Sequence, residues 1–69
     1  MGMTAHEAKR RRLQTEYLKA LAALKHVRKA CEAVGIVKSA TTKWRKRYAD
    51  FREAEQAVLQ AIARGETHE

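Results

Sequence analysis

Between residues 3 and 64 the chain has one glycine, Gly35, and it has no proline anywhere. The segments on either side are dominated by Ala, Leu, Lys, Arg and Glu, the residues that lose least on entering a helix. Such a chain has few places to bend. Gly35 follows Val34, the last residue of an apolar-periodic run, where a helix end needs a positive φ that glycine adopts without strain. Gly35 is therefore read as a corner between two helices, and the fold class as all-α, a small bundle of about four helices.

The helices can be placed from caps and periodicity. Thr4-Ala5-His6-Glu7 has the form of a capping box and starts a first helix near residue 5. Leu13, Tyr17, Leu21 and Leu24, with Ala20, recur at helical spacing and make one apolar face, with Arg10, Arg11 and Arg12 framing its exposed beginning. The phase shifts at Leu24-Lys25-His26. A two-turn helix from Val27 to Val34 then turns Ala30, Cys31 and Val34 inward and Arg28, Lys29 and Glu32 outward. Ile36 is expected to pack the corner, and Ser39 to cap a third helix running from Ala40 to about Tyr48. Asp50-Phe51-Arg52-Glu53 is an Asp variant of the capping box, opening a fourth helix whose Phe51, Ala54, Val58 and Ile62 share a face, with Leu59 to one side. Gly65 ends that pattern and residues 66 to 69 read as a frayed tail. The whole, residues 1 to 69, is read as one domain with its core between residues 13 and 64.

Size and charge bound the function. A chain of 69 residues buries only about 60% of the surface its unfolded form exposes, which leaves one modest core and little room for a walled substrate cavity. A binding module is expected rather than an enzyme. Cys31 is the only cysteine and the first residues lack an apolar leader, so an intracellular compartment is expected. No stretch has the apolar length of a membrane span. The formal charge of +7 is concentrated: residues 25 to 47 carry eight basic residues against Glu32 alone, while residues 48 to 69 carry Arg52 and Arg64 against five acidic residues. Density of that kind points to a polyanion, with DNA or RNA ahead of an acidic protein or an anionic membrane.

Two short helices joined by a tight glycine turn, the second one basic, form a helix-turn-helix unit over residues 27 to 47. Cys31 supplies the small residue where the helices cross, Gly35 the corner, and Ala30, Val34, Ile36 and Trp44 the anchors. Thr41 takes the remaining inward position, its methyl packing while its hydroxyl bonds a preceding carbonyl. With Thr41 and Trp44 inward, helical geometry turns Lys38, Ser39, Thr42, Lys43, Lys46 and Arg47 outward, where they suit base edges and the groove. Lys25, Arg28, Lys29 and Arg45 are better placed for phosphates, which give affinity and register without reading sequence. Cys31 is read as a buried crossing residue rather than a nucleophile or ligand, and Trp44 as a core anchor rather than a base-stacking platform. His6, His26 and His68 are too scattered for a metal site. There is no glycine-rich phosphate loop, and no cofactor is called for.

Residues 17 to 59 resemble the N-terminal helix-turn-helix domain of phage terminase small subunits. The matching pieces are Tyr17-Leu18 with Ala20-Leu21, Ala30-Cys31, Ala33-Val34-Gly35-Ile36, Lys38-Ser39, Trp44-Arg45-Lys46, and Asp50-Phe51 before a Glu/Ala-rich helix. The resemblance implies recognition of a packaging-initiation site on double-stranded viral DNA in the host cytoplasm. It also implies assembly into a ring-like homo-oligomer and delivery of DNA to a separate terminase large subunit. The chain departs from the family pattern at Lys25-His26, where Gly-Asn or a similar pair is usual, and at Thr42, where an aromatic is common. The long oligomerising region that follows such domains is absent from the sequence. The chain is thus expected to be either the DNA-binding piece of a longer protein or a small relative with another use of the motif.

Two other readings stand beside this one. The same unit serves transcriptional regulators and recombination-associated factors. A helical protein-interaction module would instead use Leu18, Leu59 and the acidic last helix.

Overall fold

The computed structural model describes residues 5 to 65, so the capping box at Thr4, the tail at residues 66 to 69, and His68 lie outside the described residues. Four helices account for most of it: α1 (Ala5–Leu24), α2 (Val27–Val34), α3 (Lys38–Arg47) and α4 (Ala49–Ala63). The chain is a small all-α bundle in which α1 packs on α2 and α4, and α3 packs on α4 and α2.

The apolar periodicity of α1 buries Tyr17 and Leu21 completely. Leu24, expected on the same face, is 43% exposed, because the chain turns away immediately after it. That turn is made by Lys25 at φ 61, a left-handed conformation, with its N–H donating to the Leu21 carbonyl at 2.7 Å. A lysine thus takes a left-handed conformation here, at a steric cost that glycine would not bear. His26 follows in extended conformation and caps α2 through its backbone alone.

Helix α2 has the expected limits and the expected faces: Ala30 and Cys31 are buried, Val34 is half-buried, and Arg28, Lys29 and Glu32 are exposed. Gly35 ends it at φ 81, ψ 31. Its N–H donates to the carbonyls of Cys31 and Glu32, and the Ile36 N–H donates to Cys31 at 3.0 Å. The Gly35-to-Glu32 and Ile36-to-Cys31 bonds close a Schellman motif, while Ile36 packs against the core.

The caps of the last two helices differ from the sequence reading. Ser39 is not the cap of α3; the helix starts at Lys38 with Val37 extended before it, and the Ala40 N–H donates to the Val37 carbonyl at 3.0 Å. The cap is a backbone one, and only Ile36 and Val37 separate the Gly35 corner from the helix. Nor does Asp50 cap α4. Tyr48, extended at φ −124, ends α3 and begins α4, its carbonyl accepting from the Arg52 N–H. Asp50 lies inside the first turn, where its carboxylate accepts from the Phe51 N–H at 2.9 Å and faces the positive end of the helix dipole.

Phe51 sits at the centre of the core, 5.9 Å from the Tyr17 ring and edge-on to Trp44 at 5.3 Å. Trp44 is therefore a core anchor, half-buried at the rim. Leu18 and Leu59 also pack against this cluster and are half-buried. On α4, Ala54 is exposed and Glu55 takes the inward position instead, at 1% exposure. Among the described residues no helix is long and apolar enough to cross a membrane.

Candidate nucleic-acid interface

The rim of α3 is built by the inward set. Thr41 is fully buried and its hydroxyl donates to the Lys38 carbonyl at 2.7 Å, which satisfies the polar atom within its own helix. With Thr41, Trp44 and Tyr48 turned to the core, the 3.6-residue period leaves Lys38, Ser39, Thr42, Lys43, Lys46 and Arg47 exposed, as the spacing predicts. Lys25, Arg28 and Lys29 are exposed too, on the turn before α2 and on its outer face. Hydroxyls and cations thus share one side of α3, a set able to donate to phosphate oxygens and to guanine O6 and N7.

Arg45 does not belong to that set. Its Nε donates to Glu55 Oε1 and its Nη2 to Glu55 Oε2 at 2.9 Å, a two-pronged pairing that draws the guanidinium onto α4. The Tyr17 hydroxyl donates to the same Glu55 Oε2 at 2.6 Å. Glu55 therefore ties together α1, α3 and α4. An arginine committed to a buried carboxylate is a structural group, so the phosphate role expected of Arg45 is withdrawn.

The ionisation of this trio follows from its surroundings. Burial alone would raise the Glu55 carboxyl, but the hydrogen bonds from Arg45 and Tyr17 and the Arg45 charge outweigh it and leave the group below its ordinary value. The hydrogen bond to Glu55 outweighs burial at Arg45 and raises it further. Burial, with the Glu55 hydrogen bond, pushes the Tyr17 phenol well up. Glu55 and Arg45 are thus charged and Tyr17 neutral across the physiological range. Burial also raises the Cys31 thiol, which keeps it protonated and fits a packing role.

Glu55 was legible in principle. It stands four residues after Phe51 and seven before Ile62, on the inward face, but a carboxylate is not read as a core residue without a view of its partners. Arg10, expected to frame the beginning of the apolar face, lies on α1 with its guanidinium 3.9 Å from the centre of the Tyr48 ring and its Nη1 3.4 Å from Gln14 Oε1. His6 and His26 are exposed, and among the described residues no three His, Cys, Asp or Glu side chains are gathered to hold a metal.

Set against protein families, curated proteins and solved structures, the chain matches none of them.

Proposed function

We propose that the chain is a non-enzymatic module that binds double-stranded DNA, with α3 seated in the major groove. The observation that carries this reading is the exposed face of α3, where Lys38, Ser39, Thr42, Lys43 and Lys46 stand together behind a rigid glycine corner. Lys43 and Lys46 donate to guanine edges, Thr42 offers a methyl or a hydroxyl, and Lys38 and Ser39 lie at the helix start. Arg47 flanks the face, and Lys25, Arg28 and Lys29 grip phosphates. No cofactor enters.

The resemblance of residues 17 to 59 to terminase small subunits supports a finer reading: recognition of a packaging-initiation site, with a homo-oligomer and a terminase large subunit as partners. Footprinting on the source genome tests that role, since protection beside packaging genes agrees with it and protection at promoters replaces it with regulation.

Duplex binding itself is tested by gel-shift titration at several salt concentrations. Three phosphate contacts, from Lys25, Arg28 and Lys29, give a slope of log K against log salt of about −2.7. The double variant Lys43→Ala, Lys46→Ala lowers affinity by about tenfold or more while the circular-dichroism spectrum stays that of the parent. Absence of duplex binding at low salt overturns the reading.

A further inference from the structure

The start of α1 and the end of α3 do not close on each other. Between them lies an open cleft of about 480 Å³, lined by Leu13, Trp44 and Tyr48, by the cations Lys9, Arg10 and Arg47, and by His6 and Glu7. Leu13, Trp44 and Tyr48 are half-buried, so they present an apolar floor that the other described residues leave open, and Glu7, Lys9 and Arg47 are exposed. The edge thus carries three cations against the one carboxylate of Glu7, a net positive rim over an apolar floor.

Chemistry narrows the occupant. A DNA phosphate satisfies the cations but leaves indole and leucine surface uncovered. A stacked nucleobase needs a free aromatic face, and the Tyr48 ring already carries the Arg10 guanidinium at 3.9 Å. In a second copy of this chain the carboxylates of α4 do not flank an exposed large apolar side chain: Asp50 and Glu53 stand beside Phe51, which is buried. Its exposed large apolar residues among those described, Leu24 and Val37, are followed by Lys25-His26 and by Lys38, which the cationic edge repels. The group that fits both halves is a large apolar side chain flanked by carboxylates. We propose that this cleft docks an acidic peptide segment of another protein, with one leucine or phenylalanine entering between Leu13 and Trp44 and its neighbouring carboxylates pairing with Lys9 and Arg47. The assignment does not depend on the duplex-binding reading, because the cleft faces away from Lys38, Thr42 and Lys46 on the helical wheel of α3. Arg47 lies at the border of the two surfaces, so an acidic segment in the cleft also takes a cation from the DNA side.

Trp44 is the only tryptophan, and its emission reports the cleft directly. The full chain is titrated with a blocked hexapeptide, Asp-Glu-Leu-Phe-Glu-Asp, with hexaglutamate, and with the neutral analogue Asn-Gln-Leu-Phe-Gln-Asn. The expected result is a saturable change in Trp44 emission with the first peptide at least about tenfold tighter than with either control. Arg47→Glu and Lys9→Glu, both surface changes, weaken it by about tenfold each. Equal binding of hexaglutamate means charge attraction alone and overturns the proposal. So does an equal or stronger response to oligothymidylate, which assigns the cleft to single-stranded nucleic acid. A change in emission with protein concentration alone assigns it to a second copy, and the lack of any saturable response leaves the cleft without this function. Each of these results is independent of whether the chain shifts duplex DNA.

Discussion

At the scale of the residue, Glu55 matters most to how the helices sit. A carboxylate at 1% exposure is tolerable only because Arg45 and Tyr17 both bond it; removing it leaves the Tyr17 hydroxyl buried and unpaired, while the guanidinium of Arg45, 35% exposed, keeps access to water. A buried polar group left without its partner costs about 1–3 kcal/mol, and the cavity adds to it, a large part of the stability of so small a domain. Glu55→Ala is therefore expected to lower the urea midpoint sharply or to prevent folding. Lys25 offers the opposite test. Its φ of 61 strains an L-residue by about 1–2 kcal/mol, and part of that gain is lost to the greater freedom of glycine in the unfolded chain. Lys25→Gly is expected to raise the stability by about 1 kcal/mol or less, read as a higher urea midpoint, while weakening duplex binding, a split that separates the turn's backbone from its charge.

At the scale of the element, α3 shows how a cap and a contact can be told apart. Ser39 sits in the first turn rather than at the cap, and Val37 provides the cap through its backbone. Loss of a true serine cap costs about 1 kcal/mol, whereas an exposed first-turn serine costs less than about 0.5 kcal/mol. Ser39→Ala is expected to leave the thermal midpoint nearly unchanged and to lower DNA affinity, since the hydroxyl stands on the exposed face beside Lys38 and Lys43. A full cap's worth of destabilisation in thermal melts would place the helix start two residues later. The same helix is held from beneath by Trp44 against Phe51 and from the side by Arg45 on Glu55, so its outward face is presented at a fixed angle.

At the scale of the whole molecule, the Tyr17–Glu55–Arg45 trio sets a pH window. The folded-state carboxyl of Glu55 lies below its ordinary value, so its contribution is present above an unfolded value of about 4.3 and is lost as pH falls through the folded one. The Tyr17 phenol is raised. Its contribution is present below an unfolded value of about 10 and is lost as pH rises toward the folded one. Thermal melts from pH 3 to 11 are expected to show a plateau between those limits, about pH 5 to 9, with stability falling on both sides. Glu55→Gln should flatten the acid side, provided the variant folds; a parent chain whose melting point is unchanged on going to pH 3 would contradict the charged trio.

How much of this was legible beforehand follows physical lines. The four helices, the ends of α2, the corner at Gly35 and the outward set on α3 are local: they depend on φ preferences and on a period of 3.6 residues, which a chain carries in its order of side chains. The caps at Ser39 and Asp50 were each misplaced by two residues, because a backbone cap leaves no side-chain signature. What the sequence could not decide is which charges meet. The inward turn of Glu55, the capture of Arg45 onto α4, the stacking of Arg10 on Tyr48 and the open cleft beside Trp44 all depend on contacts between helices far apart in the chain. A charged side chain reads as solvent-facing until a partner is brought within hydrogen-bonding distance, and only the packing of α1, α3 and α4 does that. Order along the chain determined the helices and the corner; tertiary structure determined which of the basic residues remain free to bind.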